Sequence, residues 1–448
     1  PTAGTSNVRF GVNAGNSILD GGNYNTVVGD EAGTAILTGD QNTLVGYRAG
    51  TAVNTSVNNV AVGMDSMLTN TTGDNNVAVG REALKRLTTT NNNVAVGSES
   101  LKETITGTQN VAVGHTAGQF ATTADDSTFI GFQAGQGITG AKLTGNRNTC
   151  VGANAGLLLQ GAAVENCIFG ALAGDAITTG GENCLFGMGA GGSIQTSVRN
   201  TFLGDDAGNT CTTGDSNVAM GHAAMGQGVT TGDFNIAIGF AAGSVLTSGT
   251  KNTLVGGLCG DNINTGDLNT MIGYNLGNSA TTVDDEVVIG NNVNGAGTNT
   301  VKIGTAAGNA VLNLDGSDTS WAAASDERLK KDIVNSTVGL SFINALRPVT
   351  FKWNAKDAIA NTLPQYDADS SDPVYGVGKA HHGFIAQEVK AVIDANSDVV
   401  DGHNLWNTDS DGTQQVAQGA LVPMLVKAIQ EQNALIEALT ARIVTLEG

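Results

Sequence analysis

The stretch NVAVGREAL, Asn76 to Leu84, decides the fold because variants of it, such as NTLVGYRAG at 42–50, recur along most of the chain. Aligned on the glycine that closes each apolar run, the repeats place it at residues 11, 29, 46, 63, 80, 97, 114, 131, 152, 170, 187, 204, 221, 239, 256, 273, 290 and 304. The spacing is 17 or 18 residues, with single departures of 21 and 14. A unit this short cannot bury a face alone, so a regular array of about 18 units reads as a solenoid whose coils stack on one another. Three extended residues and a glycine predict a short strand and a corner. A second corner is expected at the Thr-Gly or Ser-Gly pairs 38–39, 72–73, 106–107, 144–145, 213–214, 231–232, 248–249 and 265–266. One unit is then one coil of a β-helix or β-roll, and eighteen coils at the spacing of stacked strands would make a rod about 85 Å long.

The residue before the key glycine is large and apolar in nearly every unit (Val28, Val45, Val79, Ile130, Phe169, Phe186, Ile238) and is expected to fill the coil interior. The residue before that one (Val27, Leu44, Ala78, Phe129, Leu185, Phe202) is then expected to point outward and to form an apolar stripe too large for a soluble monomer. Burial of that stripe against other copies makes the rod an obligate oligomer. Asn stands four residues before the key glycine in 15 of 18 units, Ser127, Glu286 and Thr300 being the exceptions. An outward Asn face would bind sugar or ions; an internal ladder of amides satisfying corner backbone groups is the expected reading. The turn residues Asp40, Asp74, Asp215, Asp233 and Asp267 are expected to cap turns, with calcium between stacked carboxylates as the alternative. No other cofactor is expected.

Composition changes abruptly at WAAASDERLKKDI, Trp321 to Ile333: 55 of the 63 Gly precede Ser325, while four of the five Pro and two of the three Trp follow it. The chain therefore divides into a repeat shaft at 1–304, a connector at 305–324 and a C-terminal domain at 325–448. Residues 1–324 set 25 Asp and Glu against 11 Lys and Arg, a charge of −14, and the remainder 16 against 10, a charge of −6. Both parts repel phosphate backbones and anionic lipid, so nucleic acid is not an expected partner. The cysteines at 150, 167, 184, 211 and 259 form no metal or disulfide framework and read as small buried apolar residues. The sequence holds no signal peptide and no run of 18 apolar residues, so membrane insertion is not expected; a start at Pro1 is expected of a fragment or a processed product.

Beyond Ser325 the pattern is ordinary α+β. SDERLKKDI reads as a capped helix or turn, RPVTFKWN (347–354) as a strand, and GFIAQEVKAVI (383–393) as a strand end running into a helix. The last segment carries a heptad, with Val422, Ile429, Ile436 and Ile443 at one core position and Leu425, Leu439 and Leu446 at the other. It predicts a coiled coil over 424–446, although Ile at a with Leu at d, and Gln432 at one d position, do not by themselves specify three strands.

Two resemblances bear on function. The shaft units resemble the head repeats of trimeric autotransporter adhesins and the Gly-Asn-rich repeats of phage fibres, over roughly residues 7–304, with a unit a few residues longer. The motifs SDERLKKDI, HHGFIAQEV (381–389) and LVPMLVKAIQEQ (421–432), in that order, resemble the C-terminal intramolecular chaperone domain of endosialidase-type phage tailspikes and fibres. The second resemblance implies a trimeric domain, ending in a trimeric coiled coil, that templates assembly of the β-rich shaft and then cuts itself away. The bond would be Ala324–Ser325, the nucleophile Ser325 and the base of a Ser-Lys dyad Lys330, with Asp326 and Arg328 in flanking positions and His381 or His382 in support.

A serine attacking its own upstream carbonyl needs no substrate cleft, because covalent attachment supplies the positioning. It needs a base, and a lysine amine serves only where burial or a nearby cation favours its neutral form, which a trimer interface would provide. Without the other two motifs, SDERLKKD would read as a solvated helix start capped by Ser325.

The expected protein is a homotrimeric phage tail fibre or spike in the virion tail, assembled in the host cytoplasm, that binds a cell-surface receptor, expected to be a glycan. Its one enzymatic activity would be a single-turnover self-cleavage. The alternatives are a depolymerase tailspike and a bacterial trimeric surface adhesin. Asp125-Asp126, Asp205-Asp206 and Asp284-Asp285 are the shaft's carboxylate pairs, but adjacent strand residues face opposite ways and aromatic platforms are few, which argues against a depolymerase. An adhesin would carry a membrane-anchor barrel at the position of the coiled coil.

Overall fold

In the computed structural model the described residues are 4–314, 322–323, 327–375, 378–399, 404–409 and 412–448, and the chain forms two compact units, Pro1–Ala324 and Ser325–Gly448. The first is mainly β. Fifteen three-residue strands, β1 (Val8–Phe10) to β15 (Thr253–Val255), are followed by β16 (Thr270–Gly277), β17 (Glu286–Asn294) and β18 (Thr300–Thr305). Each pairs in parallel with the next, residue for residue, as in Val77↔Val94 and Ala78↔Ala95. The result is an 18-turn β-solenoid, closed by β19 (Gly308–Asn313), which turns back antiparallel on β18, and by β20 (Ala322–Ala323), antiparallel to β19.

The key glycine is fixed twice over. Its φ lies on the positive side, +138° at Gly80, and a Cβ there would stand 2.4 Å from the carbonyl oxygen of Gly97 in the next coil. Only a residue without a side chain makes this corner and stacks.

The side-chain phase is the reverse of the one expected from the apolar columns. Val27, Leu44, Ala78, Phe129, Leu185 and Phe202, the middle residues of their strands, have no exposed surface and form the interior. The residues beside the key glycine, among them Val28, Val45, Phe169 and Ile238, face outward, with Leu203 and Ile272 each 46% exposed. The cause is the asparagine four places before the glycine. It points inward, and the two-residue period of a strand then carries the residue two places before the glycine inward as well.

That asparagine column forms the internal ladder. Asn42 Oδ1 accepts from the backbone N–H of Asn59 at 3.1 Å and from its Nδ2 at 3.2 Å, while Asn42 Nδ2 donates to the turn carbonyl of Ser56 at 2.9 Å. The same three bonds recur up the rod. Ser127 replaces the amide once, taking Asn110 Oδ1 through its N–H. At the far end Glu286 accepts no further rung, and its carboxylate takes the N–H groups of Ser279 and Gly297 instead.

In several coils the interior is filled by an exchange between two positions. Where the strand's middle residue is Ala61, Ala78, Ala95 or Ala219, the residue four after the glycine is a buried Met67, Leu84, Leu101 or Met225. Ala112 and Ala237 stand with Gly118 and Gly243 instead, and there Leu101 and Phe129, or Leu254, of adjacent coils take the space. Where the middle residue is Leu185 or Phe202, the other position is Gly191 or Gly208. The 21-residue coil between Gly131 and Gly152 accommodates its excess in a small turn, bridged antiparallel at Ile138↔Ala141, and rejoins the stack through Leu143, which bridges Ala121 and Gly161.

All five cysteines are free, and the expectation of burial holds for three. Cys150, Cys211 and Cys259 are buried; Cys167 and Cys184 are half-buried register partners on the outward face, first residues of β10 (Cys167–Phe169) and β11 (Cys184–Phe186).

The second unit is small and α+β. It contains α1 (Leu340–Ala345), the pair β21 (Val349–Phe351) and β22 (His381–Gly383), α2 (Ala386–Asp394), the pair β23 (Trp406–Thr408) and β24 (Gln414–Val416), and α3 (Leu421–Glu447). Its core gathers Val338, Phe342, Val389, Ile393, Leu405, Leu421 and Met424.

Candidate functional site

Only the first turns of α3 belong to that core, through Leu421, Met424 and Ala428. The helix, 27 residues in all, then continues with its heptad positions uncovered in the single chain: Ile429 is 64% exposed, Ile436 54% and Leu439 60%. One polar contact locks it to the rest of the unit. Glu431 on α3 accepts the backbone N–H of Leu340, the first residue of α1, at 2.7 Å, and this bond, with Lys427 alongside, holds the carboxyl below its usual range. Gly339 is the residue that permits the approach, since a Cβ there would lie 2.4 Å from Glu431 Oε2. Arg347 Nε, ahead of β21, donates to Glu388 Oε2 on α2 at 2.9 Å.

Ala324, Ser325 and Asp326 lie outside the described residues. The chain on either side of them is placed. Upstream, Ala322 and Ala323 pair with Val311 and Ala310 of β19, as part of the solenoid's closing sheet. Downstream, of the expected capped helix or turn, Glu327–Leu329 form a single 3-10 turn, and the backbone N–H of Lys330 donates to Glu327 O at 3.0 Å. Arg328 and Lys330 are exposed in the single chain. The described residues therefore place the base candidate at the start of the second unit.

The two histidines, equivalent in the sequence, are separated by the strand they share. His382 pairs with Thr350 and is exposed, whereas His381 pairs with Phe351 and turns into an aromatic cluster. Its ring lies 5.7 Å from that of Phe351 and 6.3 Å from Trp353, which in turn meets Tyr375 edge-on at 4.8 Å. His381 Nε2 is enclosed and has no hydrogen-bond partner among the described residues. The FxW spacing of β21 was the sequence signal for this cluster, and it went unread because neither aromatic stands near the cleavage motif in the chain.

On the shaft, the turn aspartates act between coils. Asp74 Oδ1 accepts the N–H of Val57 at 2.7 Å, Asp215 that of Val198 at 2.8 Å, and Asp267 that of Thr250 at 2.6 Å, each bond reaching one coil back. The carboxylate pairs lie outside the strands: Asp125 and Asp284 accept backbone N–H groups of neighbouring coils, Asp126 and Asp285 are exposed at φ +54°, and Asp206, also at φ +54°, accepts from Asn209. Among the described residues no group of three or more His, Cys, Asp or Glu side chains is arranged to hold a metal ion. No helix among them is long and apolar enough to cross a membrane.

A charged lattice across six coils was not anticipated. Arg48 grips Asp65 through two hydrogen bonds of 2.7 Å, Lys102 lies 2.5 Å from Glu82 and 3.2 Å from Glu99, and Lys142 lies 3.0 Å from Glu103. The hydrogen bond from Lys102 outweighs desolvation and holds the Glu82 carboxyl at about 2. Apart from Lys102 and Glu99, the partners stand 17 or more residues apart in the chain, so no local motif announces them.

Residues 325–398 match a protein-family model described as the chaperone of endosialidase. The chain thus carries, after an 18-turn β-solenoid, a region of that chaperone type. No curated protein and no solved structure matches the chain.

Proposed function

We propose that the protein is a homotrimeric tail fibre or spike that binds a host-surface receptor through its shaft, and that its C-terminal region templates the trimer and then removes itself by cutting between Ala324 and Ser325. The observation that carries this reading is a coincidence of boundaries. The two compact units meet between Ala324 and Ser325, and the chaperone-type region begins at residue 325.

The outward column beside the key glycine supports the trimer. It is apolar in every coil from Val28 to Ile303, whereas a solvent-facing column would vary. The exposed heptad of α3 supplies a second surface with the same need. Near-identical coils invite slips of one repeat, and a clamp at one end fixes the register before the coils zip together.

In the cut, Ser325 Oγ attacks the Ala324 carbonyl carbon while the Lys330 amine takes the hydroxyl proton. The C–N bond of the 324–325 peptide breaks, its nitrogen receives that proton as the new amino terminus, and an ester joins the two pieces. Water then hydrolyses the ester, leaving a carboxylate on Ala324 and the serine restored. Because Lys330 is exposed in the single chain, the desolvation this base needs comes from neighbouring chains, so cleavage follows assembly.

A denaturing gel with intact masses tests the reading. The parent should yield fragments 1–324 and 325–448, while Ser325→Ala and Lys330→Ala should stay full-length yet trimeric, and Lys331→Ala should still be cut. Cleavage of Ser325→Ala at the parent bond overturns it.

A further inference from the structure

The shaft has one outward column that does not behave like the apolar one beside it. The residue immediately after the key glycine is charged at Asp30 and Arg81, small at Ser98 and aromatic at Tyr47 and Phe132. A face repeated against identical neighbours has no use for such variety, and Arg81 is engaged with Glu99 of the next coil at the surface. This column therefore faces away from the contact the apolar column makes, toward solvent or a ligand.

Over five successive coils it carries Asp205, His222, Phe240, Gly257 and Tyr274, spanning about 19 Å at the spacing of stacked strands. His222 and Phe240 stack with centroids 5.6 Å apart and planes 11° from parallel. Phe240 is 58% exposed and Tyr274 52%. Gly257 lies between these two rings, and it is not one of the glycines held at positive φ, so the backbone does not demand it. A Cβ there would meet the Tyr274 ring at 3.4 and 3.5 Å and Phe240 O at 4.0 Å. The missing side chain leaves a notch in the column, and the Tyr274 ring rests against the Gly257 backbone there. At the other end Asp205 Oδ2 stands 3.8 Å from His222 Nε2, both side chains about half exposed at 44% and 56%. The column repeats a shorter form of this arrangement at His115 and Phe132, stacked at 5.7 Å and 13°, but with Ser98 before it and Ala153 after it.

We propose that the strip from Asp205 to Tyr274 is a binding site for a neutral glycan, resting on the reading of the shaft as receptor-binding. The exposed aromatic surface of Phe240 and Tyr274 suits the C–H face of pyranose rings, whose weakly positive hydrogens lie against an aromatic ring's negative face. The carboxylate, the imidazole and the phenol hydroxyl at its ends supply the few directional bonds that fix a sugar's orientation. Three rings and a notch over five coils match an extended chain of several residues better than a single sugar. The charge of −14 on residues 1–324 selects against polyanionic chains.

The test uses the full assembled chain on a panel of neutral hexose and N-acetylhexosamine oligomers of four to six units, beside sulfated oligomers of the same lengths, and on host cells. Capsular polysaccharide and lipopolysaccharide O-chains from the host form two further arms that identify the source. Phe240→Ala, Tyr274→Ala and Gly257→Leu, which fills the notch, should each weaken binding to neutral oligomers and to cells at least tenfold, at unchanged native mass. Phe132→Ala should change it less than twofold. Parent-like binding by all three variants overturns the site while leaving receptor binding by the shaft intact. Binding to cells with no neutral oligomer bound, or a preference for the sulfated set, overturns the ligand class. A parent that binds neither cells nor any glycan overturns the receptor reading and the site together.

Discussion

Phe202 occupies the space that a side chain on Gly208 would need: a Cβ there would lie 2.3 Å from Phe202 Cε2. The two positions belong to one coil, and the same pairing is inverted in the coil of Ala78 and Leu84, both fully buried. In these coils the interior is filled by pairs rather than by single residues.

Phe202→Ala should lower stability by about 3–5 kcal/mol per chain, since a cavity replaces a fully buried ring. Adding Gly208→Leu to that variant should recover part of the loss, while Gly208→Leu alone should be worse than either. Unfolding midpoints in denaturant decide it; independent, additive effects of the two changes would show that the pairing is accidental.

The amide ladder should be most sensitive in its middle. Asn183→Ala removes the acceptor for both Asn200 N–H groups and the donor to Ser197 O, leaving buried groups unpaired at about 1–3 kcal/mol each. Asn7→Ala, at the open end where Asn7 is half-buried, should cost distinctly less. Hydrogen exchange at residue 200 reads the local opening, and equal costs at both sites would contradict a continuous ladder.

Outward and inward apolar columns should respond differently to charge. Phe186→Asp with Leu203→Asp alters residues 37% and 46% exposed and should give folded monomers or aggregates by light scattering, with the β signal of the shaft retained. Leu185→Asp with Phe202→Asp puts charge in the sealed interior and should abolish folding. A normal trimer from the first pair would remove the apolar column from the subunit contact.

Acid should weaken the shaft through its charged lattice. Glu82 titrates at about 2 in the folded chain, well below an unfolded glutamate, so its contribution is complete above about pH 4.5 and is lost as pH falls toward 2. Asp65, held down by its hydrogen bonds from Arg48, adds to the same window. Glu82→Gln should flatten the fall in thermal midpoint between pH 5 and 3; an unchanged pH profile would mean that the lattice is too hydrated to matter.

The repeat, the strand, the two corners and the seam at Ser325 were legible because each rests on a period or a composition that one chain displays by itself. The amide ladder was legible for the same reason. The direction of the apolar columns was misread although the information was present: an inward Asn76 obliges an inward Ala78, and Val79, being larger, drew the assignment to itself. Size is a poor guide when a partner such as Leu84, four residues past the glycine, supplies the missing volume. The lattice of Arg48, Asp65, Lys102 and Glu82 and the strip from His222 to Tyr274 depend on residues brought together only by stacking, after the coil length is known.

The small turn at Ile138–Ala141 has a consequence for counting. A rod of equal coils maps onto itself when moved by one coil, so neighbouring copies shifted by about 4.8 Å would find nearly the same partners at every level. The 21-residue coil removes that equivalence. Three chains displaced by one step would carry their turns at three different heights, each facing an ordinary coil. In the proposed trimer the insertion would act as a datum mark on a graduated scale, a height at which copies displaced by one step no longer match.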